Sequence, residues 1–178
     1  MLPENQPLER SIQRAQLPLS DYLLEDYQKA SHITLYAAGF LQKTKRLADD
    51  VTTAILEQQE QRIRELLVSS LQLQTHAVNS FQAAPFIEVL DDKQGSLESL
   101  HQSLSEAFGN DRDGKLTPHI TLGLYRKAFE TVDIAQRIAR QPQSPLDFRV
   151  NSIHLLAYSS DDIRSPLQSL RCIKLNQP

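Results

Sequence analysis

At 178 residues the chain is long enough for one compact domain, or two small lobes sharing a core, that buries well over half of its unfolded surface. Its 40% hydrophobic and 23% charged residues exclude global disorder and a coiled coil. A net charge of -3 argues against gripping long nucleic acid through the overall field, leaving a small anionic substrate or a strand end allowed.

A single cysteine, Cys172, excludes an intrachain disulfide and a thiolate metal cluster, and is consistent with a reducing cytoplasm. No apolar stretch reaches the length of a membrane span. Residues 1–18 hold three prolines and no sustained periodicity, so they read as an arm or poorly ordered lead-in to a single bilobal domain over 19–178. Met1 to Arg14 lacks the basic start and apolar run of a secretory signal. Ser20 and Asp21 are placed to cap a short helix through about Lys29, and Ser31 to Phe40 reads as a strand ending at Gly39. Apolar residues from Leu47 to Leu67 recur at helical spacing, broken by the polar run Glu57 to Arg62, which predicts one long helix or two shorter ones over 44–67.

Leu71 to Val78 alternates as a strand and Phe86 to Leu90 is a second, short one. Ser96 to Phe108 places Leu97, Leu100 and Leu104 on one helical face, with Gly109 as the αL cap and a turn-rich loop to Lys115. Strands follow over 117–125 and 148–159, with a helix from about Val132 to Arg140 between them, and Leu170 to Leu175 closes the chain. A helix, a His-Ile-Thr-Leu strand and a second helix occur in both halves, predicting a duplicated α+β unit.

The repeated tetrapeptide carries the chemistry. Residues i and i+2 of a strand share a side, so His32 and Thr34 present an imidazole and a hydroxyl together, and His119 and Thr121 repeat the arrangement. One neutral imidazole can take the proton of an attacking water while a protonated one donates to a departing ribose oxygen. The threonine hydroxyls can donate to non-bridging phosphate oxygens as charge builds. A lone His-x-Thr on a strand is weak evidence, but a chance second copy among five histidines has odds of only about 0.3%.

At this point the chain resembles the two-histidine (2H) phosphoesterase superfamily, whose members include bacterial 2′-5′ RNA ligases and cyclic nucleotide phosphodiesterases. Both tetrapeptides satisfy its His-h-Thr/Ser-h signature, h being apolar. The 87-residue separation, Pro118 before the second histidine, and the tail from Ile153 to Ser159 leading to Leu170 to Leu175 are also similar to the family. The resemblance implies a bilobal α+β fold, with two antiparallel sheets flanking a central cleft and helices outside. It also implies hydrolysis of 2′,3′-cyclic phosphates or related nucleotide phosphodiesters, with neither metal nor cofactor. Residue by residue, it assigns His32 and His119 to acid and base catalysis and Thr34 and Thr121 to phosphate binding. One departure is that many members begin with an apolar strand, which Met1 to Pro18 does not supply.

Strand parity puts Tyr36 beside His32 and Tyr125 beside His119, where either ring could stack on a base or simply pack. Arg126 and Lys127 could attract phosphate at a cleft rim, against the alternative of solvated strand-end charges. His76 reads as exposed, His101 as an edge residue of its helix, and His154 as part of the last long strand. No ligand spacing supports a metal site. The expected partner is a small nucleotide or short oligonucleotide, RNA ends included, and the expected state is a monomer. The rival readings are a non-catalytic nucleotide or RNA-end binder and 2′-5′ end-joining.

Overall fold

The structure, a computed structural model, describes residues 6–27, 29–66, 68–108, 116–141 and 144–176. In chain order the elements are α1 (Gln6–Gln16), a 3-10 segment (Leu17–Tyr22), β1 (Phe40–Leu41), β2 (Asp50–Val51), α2 (Thr53–Glu65), β3 (Leu71–Ser80) and β4 (Pro85–Leu90). They continue with α3 (Ser96–Phe108), β5 (His119–Thr121), α4 (Thr131–Ala139), β6 (Leu146–Val150), β7 (Ser152–Ala157) and β8 (Gln168–Lys174).

Period-two alternation builds the main sheet. β3 buries Leu71, Leu73 and Thr75 while exposing Gln72 and His76. It pairs antiparallel with β4 on one side and β6 on the other, and β5 joins the far edge of β4, giving the order β5-β4-β3-β6. A second antiparallel sheet holds β7 and β8, and β1 and β2 form a minor parallel pair. The architecture is thus the expected α+β one, with two antiparallel sheets and helices.

Several local expectations need correction. Residues 6–16 are a helix, and Leu8, Ile12 and Ala15 lie on its buried face within the main core. Three apolar side chains at helical spacing suffice for docking even when every other position is polar. No α-helix spans 20–29, because Pro18 opens a 3-10 segment that ends at Tyr22. The helix expected from Thr44 starts at Thr53. The Asp50 carboxylate accepts from the backbone N–H groups of Arg46 (2.9 Å) and Leu47 (2.8 Å), closing a turn that competes with helix, and Thr52 then supplies the cap.

Residues 31–39 carry no strand ladder, and pairing begins only at Phe40, whose N–H donates to the Asp49 carbonyl (2.8 Å). Gly39, at φ +123°, makes that approach possible, since a Cβ there would collide with the Asp49 carbonyl oxygen. The strand expected over 148–159 is two strands, separated at Asn151 and belonging to different sheets. The second motif strand is also shorter than expected, at three residues. The expected cap at Gly109 and the loop 110–115 fall outside the described residues.

α3 follows the expected bounds, and its N-terminus is held by side chains. Asp91 accepts from the N–H groups of Leu97 and Glu98 (3.0 Å each), and Asp92 accepts from Gln94 and Ser96 (3.0 Å each). Both carboxylates also complement the positive end of the helix dipole. Asp91→Ala should therefore lower stability by about 1–2 kcal/mol in urea unfolding.

Candidate active site

Register places the second motif. In the β4–β5 pairing Glu88 faces His119, Ile87 faces Ile120 and Phe86 faces Thr121. Cross-strand partners share a side, so His119 and Thr121 lie with Phe86 and Glu88 while Ile120 and Ile87 enter the core, where Ile120 is fully buried. The His119 ring meets Phe81 and Phe86 edge-on, at centroid distances of 5.0 and 5.3 Å, and these two rings stack at 4.1 Å. Gln16, the last residue of α1, donates to the Leu122 carbonyl (2.8 Å) and so fixes the end of this strand.

The first motif is held differently. Ile33 and Leu35 pack against the core. The buried His101 of α3 donates its Nδ1–H to the Leu35 carbonyl at 2.7 Å. His101, expected at the edge of its helix, is therefore an internal anchor for the segment that carries His32. A part-buried carbonyl without a ladder gains from such a donor, and nothing in helical periodicity could reveal a partner 66 residues away.

The two segments are joined to each other. Leu24 N–H donates to the Leu124 carbonyl (2.7 Å), Arg126 N–H donates to the Tyr22 carbonyl (3.0 Å), and Leu23 bridges antiparallel to Tyr125. The chain entering the first motif is thereby paired with the chain leaving the second. His32 and His119 come close enough for the charge of His119 to depress the His32 pKa.

Both imidazoles are oriented in the same way. His32 Nδ1 lies 2.8 Å from the Ala30 carbonyl, and His119 Nδ1 lies 2.7 Å from the Thr117 carbonyl, two residues upstream in each case. A carbonyl only accepts, so each Nδ1 carries the proton and each Nε2 is left to exchange one. Burial is the main cause holding the His32 pKa below its ordinary value. The fields of Lys29 and His119 act in the same direction, and the bond to Ala30 opposes them.

A cavity of about 1000 Å³ is lined by His32, Thr34, Tyr36 and Thr121, and extends to apolar residues including Leu155 and Ile173. A smaller one of about 220 Å³ adjoins it, and Tyr27, Lys29, Ser31 and Thr121 line both. Tyr36, expected near His32, lines the large cavity. His119, Tyr125 and Arg126 line neither: the Tyr125 hydroxyl is hydrogen-bonded to Ser80 Oγ (2.7 Å), its N–H donates to the Ala83 carbonyl (2.9 Å), and the Arg126 N–H serves the clamp to Tyr22. His76 is tied to Glu88 (3.0 Å), and His154 sits between the Ser152 and Ser169 hydroxyls (3.0 Å each). Among the described residues no three His, Cys, Asp or Glu side chains gather as a metal-holding set, and no helix is long and apolar enough to cross a membrane.

An α+β fold with two antiparallel sheets and a pair of matched His-x-Thr sites defines a two-histidine phosphoesterase fold. Similar solved structures include TT0787 of Thermus thermophilus, at 16% identity, 96% and 92% coverage of this chain and that one, and TM-score 0.61. E. coli LigT complexed with ATP is similar at 14% identity, 94% and 92% coverage and TM-score 0.60. LigT complexed with 3′-AMP is similar at 17% identity, 94% and 92% coverage and TM-score 0.56. No curated protein matches the sequence. The chain belongs to the 2′-5′ RNA ligase superfamily, whose family model matches residues 3–162.

His101→Phe keeps an aromatic ring but removes the donor to Leu35. It should cost about 1–3 kcal/mol in denaturant unfolding, as expected when a carbonyl withdrawn from water loses its partner.

Proposed function

We propose that this chain is a metal-independent phosphodiesterase acting on a nucleotide or RNA end, opening a 2′,3′-cyclic phosphate. The observation that carries the reading is the matched anchoring of His32 and His119, each with Nδ1–H committed to a backbone carbonyl and Nε2 free for proton transfer. In the forward reaction a water attacks phosphorus and gives its proton to the Nε2 of the neutral imidazole. The bond from phosphorus to one ribose oxygen breaks, and that oxygen takes the proton of the other imidazolium. Thr34 and Thr121 hydroxyls donate to the non-bridging oxygens as their charge grows.

The environment favours His32 as the base, because burial together with the Lys29 and His119 charges keeps it neutral to lower pH. His119 is then the acid. A nucleotide substrate is supported by the size of the large cavity and by the ATP and 3′-AMP complexes of LigT. Tyr36 lines that cavity, and we assign it to stacking on the base.

A panel of 2′,3′-cyclic mononucleotides, cyclic dinucleotides and 2′-5′ linked oligonucleotides, assayed with EDTA present, tests the reading. Turnover is expected on the cyclic phosphates. His32→Ala or His119→Ala should reduce it at least about a hundredfold, in line with the usual contribution of a general acid or base. Full activity in either variant would overturn the mechanism, loss of wild-type turnover with EDTA would overturn its metal independence, and nucleotide binding without product would favour a binding protein.

The pH dependence gives a second check. A depressed His32 pKa means that its basic form survives below pH 6.5, the ordinary imidazole value. The acid limb of kcat/KM should consequently lie below pH 6.5 and disappear in His32→Ala.

A further inference from the structure

Lys29, three residues before His32, lines both cavities together with Ser31 and Thr121. Its ammonium lies 3.9 Å from the centroid of the Tyr158 ring and 6.0 Å from that of Tyr27. Aromatic faces hold a cation in place without neutralising it, and among the described residues no carboxylate forms an ion pair with Lys29. Burial pushes its pKa down. Asp26 is the carboxylate that lines the small cavity, and it forms no ion pair with Lys29.

We infer that Lys29 is a third functional group of the site, an aromatic-caged cation that binds the phosphate of the substrate beside Thr121. A partly desolvated, unpaired cation on the wall of a cleft is a free-energy cost that an incoming anion removes. In a phosphodiester the non-bridging oxygens gain charge as water attacks, so the ammonium interacts more strongly with the transition state than with the ground state. The same charge acts on His32, adding to burial in holding its pKa below the ordinary value. One cation thereby serves the phosphate and the base together.

This inference rests on the phosphodiesterase reading of the site, but one of its tests does not require turnover. Inorganic phosphate is titrated into the wild type, Lys29→Met and Lys29→Arg by calorimetry. Affinity should fall about ten- to a hundredfold in Lys29→Met, as for loss of a charge-assisted bond, and recover largely in Lys29→Arg. In the turnover assay kcat of Lys29→Met should fall by more than KM rises. The acid limb of kcat/KM should also move up toward pH 6.5, since one of the charges holding the His32 pKa down is then removed.

A purely structural lysine would change the urea midpoint and leave that limb where it is. Equal phosphate affinity in the wild type and Lys29→Met, or an unmoved limb, overturns the assignment. Absence of wild-type turnover on every phosphodiester would instead overturn the enzymatic reading, with the phosphate titration still deciding the role of Lys29.

Discussion

Two motifs 87 residues apart act at one place only if something fixes their separation. That constraint is the short antiparallel clamp between Tyr22–Leu24 and Leu124–Arg126, in which two backbone hydrogen bonds flank the Leu23–Tyr125 pair. Its first strand ends eight residues before His32, and its second begins two residues after Leu122. Backbone pairing is directional and tolerates little displacement, so movement of one motif drags the other. α1 reinforces the clamp, because its apolar face is buried in the core and its last residue, Gln16, bonds the Leu122 carbonyl.

From this clamp outward the two halves are supported by different means. β5 is laddered to β4, and register alone decides that His119 and Thr121 share a side. Residues 31–39 have no ladder, so their position depends on apolar contacts of Ile33 and Leu35 and on the bond from His101. The chain from Asp91 through α3 to Leu35 is therefore a chain of support: carboxylates cap the helix, the helix carries His101, and His101 holds the carbonyl three residues after His32. Buried polar contacts of this kind specify one arrangement more than they add net stability.

Much of this was legible in the sequence wherever local pattern and tertiary demand agree. α3 falls where periodicity puts it because it buries one apolar face, and β4 falls on the expected apolar run because it is buried on both faces at Phe86 and Ile87. The His-x-Thr repeat identified both motifs, since a strand-like spacing of two suffices to associate an imidazole with a hydroxyl. What failed depended on partners distant in sequence. Alternation runs through Asn151 without a mark, although the strand changes sheets there, and the docked stripe of α1 hides among prolines and charges. His101 and Lys29 have no local signature at all. One is defined by a carbonyl in another half of the chain, the other by the ring of Tyr158.

The motifs are identical as tetrapeptides but not as environments, and that difference bears on chemistry. An acid–base pair works when one partner is neutral and the other charged at the same pH, which identical surroundings would oppose. His32 is withdrawn from water on the wall of a large cavity, with a lysine charge beside it, so protonation is disfavoured. His119 sits on an edge strand against the edges of two aromatic rings, across from the Glu88 carboxylate. The proposed assignment of His32 as base and His119 as acid therefore rests on the unequal packing around two identical tetrapeptides.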